Sequence, residues 1–509
     1  MLLTSVYQES NFSMVEDTQA RYDVVIVGAG FGGIGTAVQL KRLGYDNIAI
    51  LEREADLGGT WRVNRYPGLA VDIPCTTYSY WFEPNPYWSR LFPCGHEILR
   101  YAEHVADKYD VRRHMRFNTT VECARWDDEA RLWQLTLAGG ESLQTRFLIT
   151  ATGFLSQPYT PQIPGIESFR GDVVHTTAWD DSHDFRGRRV AIIGTGATSV
   201  QLIPELASRA AELTVYQRTA THVVPKPDFA IPVWLQRLFS RMPLAQRVFR
   251  LLTDTIFEGF LLTALHHRGL RRLNISASDL AKISRFVSIR DKELRRKLTP
   301  DYDFGCKRPT WSNSYYRSLT KPNVHLETHR IERIEPDGIV TSDGRKTVID
   351  MLVLATGFDM WEANFPAIEV IGRQGRNLGK WWRETRFQSY QGMSIPYFPN
   401  FLSLASPYAF SGLSFFHTIE YQMRHMDRLF GELQRTGATE FEAKEEAMAR
   451  FMDRMTSLLD TSVFYAGDCA TSRSYYFAPN GEAALLRPTS TLNAVREASH
   501  FPLSDYAIS

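Results

Sequence analysis

Apolar positions along the chain fall into short runs that end in glycine turns. Tyr22-Asp-Val-Val-Ile-Val27 is rich in β-branched residues and predicts a buried parallel strand. Gly28-Ala-Gly30-Phe-Gly-Gly33 follows it. A helical pattern through Ile34, Ala37, Val38 and Leu40 comes next and ends near Gly44. Ile48-Ala-Ile-Leu51 predicts a second strand, closed by Glu52. The order then recurs. Arg189-Val-Ala-Ile-Ile193 predicts a strand, Gly194-Thr-Gly196-Ala-Thr-Ser199 a turn into a helix, and Leu213-Thr-Val-Tyr216 another strand.

Residues 117–153 alternate apolar and polar positions and predict a β-meander. It closes in Phe147-Leu-Ile-Thr-Ala-Thr-Gly153, and Val353-Leu-Ala-Thr-Gly357 repeats that strand-to-turn ending. Residues 230–300 change to helical spacing, with Trp234, Leu238, Leu244, Val248 and Leu252 among the apolar positions and Arg241, Arg247 and Arg250 between them. Two readings are open for this insertion: its apolar face packs on the neighbouring domain, which is preferred, or it touches a membrane surface.

The repeated strand, glycine turn and helix point to two dinucleotide sites, and so to an α/β chain with two Rossmann-like domains. Gly28 and Gly30 let the backbone turn tightly against a pyrophosphate, and Gly33 lets the helix approach the strand. Glu52, 24 residues after Gly28, stands where an acid holds a ribose hydroxyl. The second turn has Ser199 in place of the third glycine. No acid follows its second strand; Gln217-Arg218-Thr219 stands there. Arg218 lies 24 residues after Gly194, where a guanidinium suits a 2′-phosphate and favours NADP over NAD.

Composition narrows the classes further. Net charge is +1 over 509 residues, which offers no general attraction for nucleic acid. The longest uncharged run, Gln388 to Ile419, carries Pro396, Pro399 and Pro407, which argues against a spanning helix. The N-terminus has no basic region followed by a long apolar core, and residues 1–20 read as a mobile tail. The five cysteines form no CxxC pair and no metal-ligand cluster, which suggests a reduced, cytoplasmic setting. Cys306 reads as a small buried hydrophobe.

Between the two turns lies Phe169-Arg-Gly171-Asp-Val-Val-His175-Thr-Thr-Ala-Trp179-Asp180. With Gly58-Gly-Thr60-Trp61, Asn64-Arg-Tyr-Pro-Gly68 and Lys307-Arg308-Pro309 in the same order, the sequence resembles the type I Baeyer–Villiger monooxygenases, a class B flavoprotein family, over residues 21–488. The resemblance implies FAD and NADP as cofactors. It implies insertion of one oxygen atom from O2 into a ketone through a C4a-peroxyflavin, giving an ester or lactone. The related alternative is oxidation of sulfur or nitrogen centres. It places Glu52, Thr60, Trp61, Asp72 and Tyr78 on the flavin side. Thr195, Gly196, Ala197, Thr198, Ser199, Arg218 and Lys307 fall on the NADP side. Arg308 becomes the active-site arginine, Asp72 the carboxylate beside it, and His175 a linker residue coupling domain movement.

The resemblance also suggests a division of the chain. Residues 21–160 begin the FAD domain, 161–180 link, and 181–357 form the NADP domain with its insertion at about 230–300. Residues 358–509 return to the FAD domain and line the substrate. Ala405-Ser406-Pro407 replaces the family's usual Gly-Pro-Asn, so no particular ketone follows. Tyr465-Ala-Gly467-Asp468 is read as a decoy of a flavin motif, and 469–488 as an edge of the site.

Overall fold

The strand runs become two separate sheets, the first mixed and the second parallel. In the computed structural model, which describes residues 20–180 and 182–509, β1 (Ala20–Val27) leads into α1 (Phe31–Arg42) and β2 (Ile48–Leu51). Val24, Val25 and Ile26 are fully buried. Each such side chain contributes about 1.5–3 kcal/mol of transfer free energy. The short helix α2 (Thr60–Val63) and the longer α3 (Gly95–Lys108) follow. β3 (Met115–Arg116) pairs in parallel with β2, and the predicted meander is β4 (Val121–Asp127), β5 (Leu132–Leu137) and β6 (Ser142–Thr150). The expected tail at 1–20 lies outside the described residues, except that Ala20 already begins β1.

β7 (Asp172–His175), β8 (Arg189–Ile193), α4 (Ala197–Arg209) and β9 (Glu212–Tyr216) build the second repeat. The insertion consists of α5 (Val233–Arg241), α6 (Pro243–Leu265), α7 (His267–Ser288) and α8 (Lys292–Lys297). Two short strands, β10 (Val223–Val224) and β11 (Thr310–Trp311), pair in parallel on either side of it. Then come β12 (Val324–Glu327), a small antiparallel sheet of β13 (Ile331–Glu335), β14 (Gly338–Thr341) and β15 (Lys346–Val348), and β16 (Met351–Leu354). β17 (Glu369–Ile371) and β18 (Phe401–Ser403) return to the first sheet.

The first sheet has the order β17-β4-β5-β6-β1-β2-β3, with β18 also on β6. The second is β12-β9-β8-β16-β7, parallel throughout. In both, the glycine turn lies at the C-terminal end of a central strand, where open α/β sheets bind ligands. The same device fixes both turns. Gly28 has φ +109° and a Cβ there would lie 2.6 Å from the Ala151 carbonyl oxygen. Gly194 has φ +119° and its Cβ would lie 2.3 Å from that of Ala355.

The insertion is helical, but only part of its apolar set packs inward. Phe239 is buried, whereas Trp234, Leu244, Val248 and Leu252 are exposed. This corrects the preferred sequence reading in part: helical periodicity locates an apolar stripe and does not say that protein covers it. No helix among the described residues is long and apolar enough to cross a membrane.

Candidate functional site

The first turn opens on a cleft of about 300 Å³. Gly28, Gly30, Glu52, Thr60, Trp61 and Tyr78 all line it. Gly33 lies beneath, where a Cβ would fall 1.9 Å from the Gly28 oxygen. Gly30 and Gly59 face each other so closely that a Cβ on Gly59 would come within 3.0 Å of the Gly30 Cα. α1 starts at Gly30 with no side-chain cap, so its first N–H groups point into the cleft and favour an anion. Glu52 accepts from the backbone N–H of Ala29 at 2.7 Å and of Glu54 at 3.0 Å, which fixes its carboxylate at the end of β2. Trp61 donates its indole N–H to the Tyr78 hydroxyl at 2.9 Å.

The second turn has the same form. α4 begins with Ala197 and Thr198 beyond Gly196, again without a side-chain cap. A Cβ on Gly196 would meet no described atom within 4 Å, so this turn faces open space. Ser199 is fully buried behind it, and Thr195 donates its hydroxyl to the Thr219 carbonyl at 2.7 Å. Arg218 follows β9. Burial lowers its pKa, and so does Arg473. The same two arginines act with burial on Lys307, pushing it down to about 8. The three cations act on one another more strongly than Asp301 acts on Lys307, an arrangement that would suit an anion. Arg473 escaped sequence reasoning, because no motif carries it.

Lys307 and Arg308 lie on the strand-like approach to β11. Pro309 keeps Arg308 out of the helical region. Behind them Cys306 is joined to Cys469 by a disulfide with Cα atoms 5.3 Å apart. This corrects both the reading of Cys306 as an unpaired hydrophobe and the expectation of a wholly reduced chain. The two cysteines are 163 residues apart, so spacing could not pair them. Ahead, the Thr310 N–H donates to the His222 carbonyl at 3.1 Å.

Arg308 is therefore fixed on both sides, and its guanidinium is fixed again by its partners. Nε donates to Asp72 Oδ2 at 2.7 Å, Nη2 to Asp72 Oδ1 at 3.3 Å, and Nη1 to the Gly412 carbonyl at 2.9 Å. Burial opposes the charge of Asp72, but Arg308 and then Lys226 outweigh it and hold the carboxyl below its usual range. Burial likewise opposes the charge of Arg308, and Asp72 outweighs it, raising an already high pKa. Lys226 and Gly412 were not foreseen. Both act across loops distant in sequence.

Arg308 lines one space and acts on the wall of another. On one side it lines an apolar pocket with Phe257, Leu261, Trp311, Tyr476 and Leu486. On the other, Tyr78 on the wall of the first cleft lies near enough for the charges of Asp72 and Arg308 to act on its phenol. Tyr476, within the stretch read as a site edge, faces the same guanidinium. Asp72 itself sits beyond the turn at Pro67-Gly68, which rests on α4: Gln201 donates to the Ala70 carbonyl at 2.8 Å. The pair thus bridges the two repeats. His175, on edge strand β7, accepts at Nδ1 from the Thr177 N–H at 3.3 Å, and burial lowers its pKa. Phe169 and Trp179 are buried near it in sequence.

Comparison with known proteins agrees with this architecture. The family model described as pyridine nucleotide-disulphide oxidoreductase matches residues 25–245. A protein named Baeyer-Villiger monooxygenase from Streptomyces coelicolor is 34% identical, over 97% of this chain and 94% of its own. The closed crystal structure of cyclohexanone monooxygenase superposes with a TM-score of 0.85 at 27% identity, covering 97% of this chain and all of the other. An oxidised steroid monooxygenase bound to NADP gives a TM-score of 0.85 at 28% identity, over 96% and 99% of the two chains. With that identity spanning nearly the full length of both proteins, the chain belongs to the Baeyer–Villiger monooxygenase family of flavoprotein oxygenases.

Proposed function

We propose that this chain inserts one oxygen atom from O2 into a ketone, yielding an ester or lactone at the expense of NADPH. The observation that carries the reading is the Arg308 guanidinium, clamped by Asp72 and the Gly412 carbonyl on the wall of an apolar pocket and near Tyr78, which lines the cleft of the first glycine turn. Gly28, Gly30, the N-terminus of α1 and Glu52 suit the pyrophosphate and ribose of FAD, and Thr60, Trp61 and Tyr78 suit its flavin end. Gly194, Gly196, the start of α4, and the cations Arg218 and Lys307 suit NADP and its 2′-phosphate. Bound FAD, reduced by NADPH, supplies the activation of O2.

The protein's own contribution is charge placed in advance. Attack on a carbonyl carbon needs a nucleophilic oxygen, and an oxygen that keeps its negative charge is the stronger nucleophile. Arg308 stabilises that charge yet yields no proton, since an arginine pKa lies above about 12. Asp72 orients the guanidinium and limits its swing at the wall of the apolar pocket. That pocket, with Phe257 and Trp311 on its wall, excludes water and accepts the body of an apolar ketone.

In this reading 21–160 and 358–509 form the FAD domain, 181–357 the NADP domain, and 161–180 the link through which His175 couples their movement. A cytoplasmic setting, where NADPH is available, completes it. The test is substrate-dependent NADPH oxidation over a panel of ketones and thioethers, with product mass. Esters one oxygen heavier than the ketone support the proposal. Oxidation of thioethers alone would overturn it.

A further inference from the structure

The outer side of the helical insertion is built unlike the rest of the surface. Among the described residues, 14 of the 24 exposed large hydrophobic side chains fall within residues 233–287. They are ordered in stripes. On α6, Leu244, Val248, Leu251 and Ile256 recur at helical spacing and are each at least 59% exposed. On α7, Leu273, Leu280, Ile283 and Val287 form a second stripe, with Val287 reaching 75%. Exposed apolar patches of this extent mark an interaction surface.

Charge says what kind. Residues 233–288, which span α5–α7, hold nine Arg and Lys against three Asp and Glu, a net +6 in a chain whose total is +1. Arg241, Arg247, Arg271 and Arg272 are exposed and join no salt bridge among the described residues. A second copy of this face would bring like charge against like charge. An apolar centre with a basic surround matches instead an interface that is apolar within and anionic at its rim. α6 is 23 residues long, but Arg247, Arg250, Asp254 and Glu258 interrupt it, so it suits lying in a headgroup layer and not crossing one.

We propose that the outer face of α5–α7 docks on an anionic lipid bilayer, its apolar stripes at headgroup depth and its arginines on lipid phosphates. The opposite face of α6 supplies Phe257, Phe260 and Leu261 to the pocket at Arg308. A docked α6 thus stands between bilayer and pocket, which selects lipophilic ketones; that clause rests on the proposed function, whereas docking does not.

The test is sedimentation of the full-length flavoprotein with vesicles of phosphatidylcholine alone or with about one-third phosphatidylglycerol. The protein sediments with the anionic vesicles, sediments little with the neutral ones, and is released by salt. Arg271→Gln with Arg272→Gln lowers the partition coefficient about fivefold per residue. Leu251→Ser with Leu280→Ser weakens binding at every salt concentration. Both variants keep their flavin absorbance and NADPH oxidation, which shows that they fold. Absence of sedimentation with anionic vesicles, or equal binding by both variants, overturns the proposal. So does a dimer in light scattering that the leucine variant converts to a monomer, which would assign the face to a second copy. Docking without ketone oxygenation would sink the proposed function alone.

Discussion

Replacing Asp72 by Asn removes the negative partner of Arg308 while preserving shape. The wild-type pair has one short contact, Nε to Oδ2 at 2.7 Å, and one long one, Nη2 to Oδ1 at 3.3 Å. The short contact lies in the range of a strong charge-assisted bond, and the other adds little. Charge-assisted bonds contribute about 1.5–3 kcal/mol each. The Gly412 carbonyl stays, so the guanidinium keeps one anchor and gains freedom to swing. A loss of about 2 kcal/mol at the transition state slows ester formation about thirtyfold. The assay measures ester and NADPH consumption together. FAD content stays at the wild-type level, NADPH oxidation continues, and the ester formed per NADPH falls, with hydrogen peroxide replacing it. An Asp72→Asn enzyme that forms ester at the wild-type rate and ratio would refute the positioning role.

Three further outcomes follow from the same geometry. Gly194→Ala fails to fold stably, because its Cβ would lie 2.3 Å from the Ala355 oxygen at φ +119°, whereas Gly196→Ala meets no described atom, keeps the wild-type melting temperature and loses affinity for NADP in fluorescence titration. Arg218→Ala raises the KM for NADPH by about tenfold or more and leaves that for NADH unchanged, the loss of one charge-assisted contact to the 2′-phosphate. Lys307, pushed down to about 8 in the free protein, is largely neutral at about pH 9; a phosphate beside it restores its proton, so calorimetry in buffers of different ionisation enthalpy shows NADP binding taking up close to one proton there, and Lys307→Gln none.

Much of the fold was legible because its signals are local. Apolar runs and glycine turns placed β2 and β8 at their observed bounds and the meander at β4–β6. Each glycine's need is set by its own dihedral angle and by the strand beside it. The Arg308–Asp72 contact spans 236 residues, and only the family resemblance put these two side by side beforehand. Arg473, Lys226, Gly412 and the Cys306–Cys469 bond left no local trace at all, for each acts through a loop whose course depends on the packing of both sheets. The exposed stripes of the insertion show the reverse limit. Their spacing was plain in the sequence, but periodicity is the same whether a stripe meets protein or solvent.

The account rests most heavily on Arg308, and the Arg308→Ala enzyme addresses it directly. The measurement is ester formed per NADPH consumed, with product mass, on an enzyme whose flavin absorbance confirms bound FAD. Loss of one preorganised charge contact of this kind costs about 3 kcal/mol or more of barrier, so the ratio falls at least a hundredfold while NADPH oxidation persists. An Arg308→Ala enzyme that still converts its ketone to ester in wild-type yield would contradict the account.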